Sequence, residues 1–230
     1  MTRAKTKSAL SRVQEYYGQI DRFMAAVVDE WNPPCKRGCA HCCYMDVGVS
    51  LAEAIYATEI LSRTARGKKR LTTLGDRAEA VSRRLMKRII TEPDFTIKDW
   101  LKEKQPCLLL DHKRRACTIY PMRPVACRTY VVEAGTNCRH LQEHGGTVGQ
   151  WNNHELMELS TQWMMHLADE LGEPWMATPA PLPLAILFAC TYWLMGSAGV
   201  HELMARIGFR SPTDLVVMFG EYAMRGKETP

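Results

Sequence analysis

The sequence predicts a mostly α-helical protein carrying one small β-hairpin and cysteine-rich metal-binding loops. Three observations predict it. Apolar residues recur at three- and four-residue spacing over several stretches. Two short β-like runs flank a polar turn near the middle of the chain. Eight of the nine cysteines fall between residues 35 and 138.

Each element has its own local signal. Leu10, Val13, Tyr17, Ile20, Met24, Val27 and Trp31 lie on one helical face, which predicts a helix from about Ser8 to Trp31. Pro33 and Pro34 stop it and deliver the chain into the first cysteine group. Ser50 with Glu53 reads as a capping box opening a helix through about Arg63, with Leu51, Ala54, Ile55 and Leu61 inward. A third helix is expected near Leu71 to Ile90, burying Leu74, Ala78, Val81, Leu85 and Ile89. The hairpin comes next: residues 107–110 and 116–120 as strands around the turn 111–115. Pro121 and Pro124 then punctuate the chain as far as Cys127. Beyond that segment, a helix is expected over 153–171, with Leu156, Leu159, Trp163 and Leu167 inward.

The stretch 174–200 holds no charged residue, but its first ten positions carry four prolines and cannot be helix throughout. Residues 184–200 remain, at the lower limit for spanning a bilayer, and they include Thr191, Gly196, Ser197 and Gly199. A buried core helix is the expectation, with Cys190 a small buried hydrophobe. A last helix starts at Ser211, with Pro212 in its first position. The division read from this pattern is 1–150, a helical domain with the cysteine motif at 35–138, and 151–230, a helical extension packed on it.

Composition bounds the function. At 46% apolar and 24% charged, the 230 residues are ordinary for a globular protein. The net charge of +5 is uneven. Residues 63–88 carry ten basic side chains against Asp76 and Glu79, a net of +8, so the remainder is −3. Such a stripe suits an acidic protein partner or a solvated helix face; without interleaved aromatics, nucleic acid is not the expected partner. Residues 1–8 are basic and lack the apolar core of a signal peptide, so a cytoplasmic protein with no membrane partner is expected. Nucleotide-binding glycine loops, the His-Glu-x-x-His pair and the Gly-x-Ser-x-Gly elbow are all missing from the sequence.

The chemistry lies in the cysteines. Cys35, Cys39, Cys42 and Cys43 have the spacing Cys-x3-Cys-x2-Cys-Cys, and Cys107, Cys117, Cys127 and Cys138 come after them. Thiols this close usually share a metal, whereas disulfides belong to short secreted chains. Thiolate is a soft ligand that selects zinc, copper(I) or iron–sulfur clusters. One tetrahedral zinc needs four sulfurs, so seven or eight imply two ions, a cluster with spares, or thiols with another role. Cys42 and Cys43 are adjacent, and their side chains are expected to diverge. Among histidines, only His41 sits within the group; His112, His140 and His144 read as loop residues. Arg123, Arg128, Arg37 and Lys36 would offset the charge of a thiolate-ligated centre, or form ordinary ion pairs. Tyr120 and Tyr130 read as core aromatics rather than pocket lining, and the thirteen methionines as core filling.

Cys35-x3-Cys39-x2-Cys42-Cys43, Pro106-Cys107 and Cys117-x-Ile119-Tyr120-x2-Arg123-Pro124-x2-Cys127-Arg128 together resemble the family named for its CxxCxxCC pattern. Its domain is described as zinc- or iron-chelating, and its members include the flagellin lysine N-methylases. The resemblance covers about residues 35–130. It implies a zinc, iron or iron–sulfur centre with a redox or transfer role. Two alternatives are a lysine N-methylase-like enzyme using an iron–sulfur centre and a structural double-zinc interaction module. Cys35, Cys39 and Cys42 also repeat the cluster spacing of radical-SAM enzymes, but the alternating strands and helices of that barrel are not in this sequence.

Overall fold

The computed structural model describes residues 3–34, 39–45, 47–140, 174–177 and 179–211, and positions 158, 162, 163, 165, 169, 214, 217–219 and 221. Helix α1 (Arg3–Trp31) starts earlier than periodicity suggested. Leu10, Val13, Tyr17, Ile20, Met24 and Val27 are buried along one face, as expected. Asn32 ends the helix in the left-handed region, φ 41°, its N–H still bonded to the Val28 carbonyl at 3.0 Å.

Strand β1 (Gly48–Ser50) leads directly into α2 (Leu51–Ser62) through the predicted capping box. Ser50 Oγ accepts from the Glu53 amide at 3.2 Å, and the Glu53 carboxylate accepts from the Ser50 amide at 3.1 Å. Nearly all of α2 is buried, not one stripe, because other elements pack on several sides of it. Helix α3 (Gly67–Thr91) comes after a short link. A side chain at Gly67 could not fit: its Cβ would lie 2.5 Å from the Ser62 carbonyl oxygen and 2.7 Å from that of Leu61. Leu71, Leu74, Ala78, Leu85 and Ile89 form the predicted buried stripe, with Val81 at its margin.

The short helix α4 (Ile97–Lys102) was not expected, although Thr96 and Asp99 form a second capping box that the Thr-x-x-Asp spacing encodes. It lays Trp100 beneath Arg84 and sets Glu103 between Arg84 and Arg88. The hairpin is present but shorter than predicted: β2 (Leu110–Asp111) pairs with β3 (Ala116–Cys117), Leu110 opposite Cys117. The Asp111 carboxylate shapes the turn by accepting from the amides of Lys113 at 2.9 Å and Arg114 at 3.1 Å. A single-turn helix α5 (Val125–Arg128) stands just beyond the prolines.

Of the helix expected over 153–171, only Glu158, Gln162, Trp163, Met165 and Asp169 are described, and each is helical. Leu156, Leu159 and Leu167 lie outside the described residues. Trp163 stacks on Tyr16 with ring centroids 4.3 Å apart. The proline-rich stretch holds a strand, β4 (Pro179–Pro181), antiparallel to β1 with Val49 opposite Ala180. Prolines lack the ladder N–H, which hid this strand, yet an edge position tolerates them.

Helix α6 (Leu182–Arg206) is the expected core helix, buried continuously from Leu184 to Cys190 and packed against α2 and α3. By length and composition it is apolar enough to cross a membrane, and 56% of its 18-residue apolar stretch is buried within the fold. Gly196 kinks it at φ 75°, ψ −172°, a conformation that side chains resist. Trp193 pins α6 to α2, its Nε1–H donating to the Ile55 carbonyl at 3.2 Å and Thr58 Oγ1 at 3.1 Å. At the start of the last helix, the Asp214 carboxylate accepts from the amides of Arg210 and Ser211; Pro212 lies outside the described residues.

Candidate metal centre

Three segments carry the thiols, and each is positioned by specific bonds. The first is a 3-10 turn, His41–Tyr44, anchored by buried Ala40, whose carbonyl accepts from the Cys43 amide at 3.1 Å. The second is stitched to it directly: the Cys107 amide donates to the Cys43 carbonyl at 2.7 Å, closing a 64-residue separation. Within this segment the Cys107 thiol accepts from the Leu109 amide at 3.4 Å, and fully buried Ile119 roots the hairpin in the core.

The third segment, residues 120–128, is held from beneath by a buried carboxylate. Glu53 accepts from the Val125 amide at 2.8 Å and the Tyr17 hydroxyl at 3.0 Å, besides its capping bonds. One side chain therefore joins α1, α2 and the Cys127 turn. Arg128 completes the clamp. Its guanidinium is 3% exposed, donates to Asp21 at 2.5 and 2.6 Å and to the Arg123 carbonyl at 2.7 Å, and also donates to the Pro121 carbonyl. It lies 4.1 Å from the Tyr17 ring centroid. The predicted ordinary ion pair for this arginine is thus a buried structural one.

Cys42, Cys43, Cys107, Cys117 and Cys127 share one electrostatic neighbourhood. The charge of Cys42 acts on the other four and on Cys138, and that of Cys39 acts on Cys138. Burial pushes the Cys107 thiol up to about 11, and it raises Cys117 and Cys127 as well; the neighbouring sulfurs push all three further in the same direction. The adjacent pair does not diverge. The 3-10 turn brings Cys42 and Cys43 into a mutual hydrogen bond, which lowers the pKa of Cys42 and raises that of Cys43. Cys138 is half-buried at the start of a helical turn, with Asn137 Oδ1 accepting from the His140 amide at 3.0 Å.

Among the described residues, no three histidine, cysteine, aspartate or glutamate side chains converge closely enough to hold one ion. Cys35, with Lys36 and Arg37, lies outside the described residues, as does His144. The donor set nonetheless fits a soft metal. All described cysteines are free thiols, and basic groups surround the group: Arg123 acts on Cys42, Cys117 and Cys127, and Arg77 on Cys107. Arg123 Nε is buried without an acceptor. Cys190 is remote in character, a fully buried thiol raised to about 12 by desolvation alone.

Other expectations need correction. Tyr120 is not core but 59% exposed, with the Arg123 guanidinium on one face of its ring. The basic stripe needs none: Arg63, Arg83 and Arg84 stay exposed, as a solvated helix face would have them, while Arg63, Arg83, Arg84 and Arg88 pair with Glu59, Glu79, Glu103 and Glu92. Glu53 and Asp21 were missed as site-building residues. Asp21 stands four residues after Tyr17, a same-face spacing that could have pointed to it.

Residues 34–146 match the family model CxxCxxCC, described as "Putative zinc- or iron-chelating domain". No curated protein and no solved structure matches the chain.

Proposed function

We propose, for a chain that carries a CxxCxxCC domain over residues 34–146, a cysteine-ligated zinc or iron centre with a redox or transfer role. The observation that carries the reading is the common neighbourhood of Cys42, Cys43, Cys107, Cys117 and Cys127, drawn from three segments of the chain. Cys39, Cys138 and Cys35 complete the candidate ligands. Zinc would supply Lewis acidity and iron electron transfer; in both cases the thiols must first lose their protons.

This chain's own residues do the rest. Glu53 and Arg128 fix the Cys127 turn, the Cys107–Cys43 backbone bond fixes the first two segments together, and Arg123 supplies positive charge beside the sulfurs. Cys42 is exposed, which favours a centre open to solvent over a closed structural one. Metal analysis and the visible spectrum of anaerobically purified protein test the proposal. Broad absorption near about 400 nm would identify an iron–sulfur centre with its thiolate ligands, stoichiometric zinc without colour a zinc centre. Protein that takes up neither zinc nor iron would overturn it.

A further inference from the structure

The structure separates two arginines that the sequence presents together. Arg128 is buried and engaged on every side by Asp21, two backbone carbonyls and the Tyr17 ring. Its charge is already answered. Arg123 is not in that position. Its guanidinium lies 4.2 Å from the Tyr120 ring centroid, and no carboxylate pairs with it among the described residues. Its Nε is buried without an acceptor. An unmet donor on a cationic group is costly, and a fold keeps one only where some state of the protein provides the acceptor. The groups within reach of its charge are Cys42, Cys117 and Cys127, one sulfur from each of the three segments.

We infer that Arg123 is the counter-ion and N–H donor of the thiolate site, and that Arg128 only fixes the chain around it. The inference rests on the cysteine-ligated reading above and adds a positioning residue to it. Deprotonated sulfurs gather negative charge, and a charge-assisted hydrogen bond from Arg123 Nε would offset it on the side where the three segments meet. Tyr120 holds the guanidinium in place from its outer face. Lysine would keep the charge but lose the planar donor edge, so the two contributions can be told apart.

The test titrates zinc ion into the parent protein, Arg123→Gln and Arg123→Lys against a chromophoric chelator, with far-ultraviolet circular dichroism on each. Arg123→Gln is expected to bind zinc roughly 10- to 100-fold more weakly, the range for lost partners of metal ligands, and Arg123→Lys to fall between. With cobalt(II) in place of zinc, the sulfur-to-metal charge-transfer band should shift in Arg123→Lys relative to the parent. A helical Arg123→Gln protein with parental zinc affinity overturns the inference and leaves the metal site standing. A parent that binds neither zinc nor iron overturns both. Should Arg123→Gln lose its helical signal, Arg123→Lys decides: parental affinity with an unshifted cobalt band overturns the inference.

Discussion

The helical scaffold and the cysteine segments are held by different physics. Around α2, α3 and α6 the contacts are apolar and continuous, with Leu51, Ile55, Leu85, Leu184, Ile186 and Phe188 almost wholly buried. The segments at 39–45 and 107–128 add polar anchors, the Cys107–Cys43 bond, the Glu53 carboxylate and the Arg128 clamp, to a smaller apolar footing of Ala40, Leu108, Leu109, Ile119 and Val125. Their thiols are half-buried, apart from exposed Cys42, and no three of them converge on one ion among the described residues. Packing makes the scaffold self-sufficient. Ordering backbone costs about 1–2 kcal/mol per residue, and the 39–45 segment buries only Ala40 to offset it, so ligation is expected to matter most there.

Chelation should expose that difference most strongly. Amide exchange across 39–45 and 107–128 is expected to quicken by orders of magnitude when metal is removed, while α2, α3 and most helical circular dichroism persist. Equal protection with and without metal would erase the contrast. The same binding should weaken in acid. Cys107, Cys117 and Cys127 have raised pKa values, so at neutral pH each is protonated and must release a proton to ligate. Affinity therefore rises with pH toward the thiol range and falls below it, and proton release on zinc addition in weak buffer measures the number of thiols involved.

Phe188→Ala attacks the other region. Removing a fully buried aromatic ring should cost about 3–5 kcal/mol and lower the denaturation midpoint of the whole protein, with or without metal. Arg128→Ala sits between the regions. It leaves two carbonyls without their donor and breaks the pair with half-exposed Asp21, at about 1–3 kcal/mol in urea unfolding. Its larger effect should be local, in faster exchange around Cys127. Thiol labelling compares the regions residue by residue: exposed Cys42, with its lowered pKa, should react first in metal-free protein, and Cys190 last. Arg83→Ala is the smallest change, since its i,i+4 bond to Glu79 lies on the surface and is worth about 0.3–0.5 kcal/mol.

Sequence by itself determined the elements whose signals are local. Periodicity located α1 and α3, the Ser50–Glu53 spacing started α2, and the cysteine pattern marked the candidate site. Such signals act within one helical turn or one short motif, so they survive without knowledge of the partner. Tertiary structure decided what depends on residues far apart. The β1–β4 pairing joins positions some 130 residues apart through prolines that locally deny a strand. Glu53 reads as a cap in the sequence, and only the fold makes it the acceptor for Tyr17 and Val125. Arg123 and Arg128 are alike in sequence and opposite in role, because Asp21 on α1 is near enough to pair with one and not the other. Charge and hydrogen bonding are settled by proximity, and proximity across the chain exists only once the core has packed.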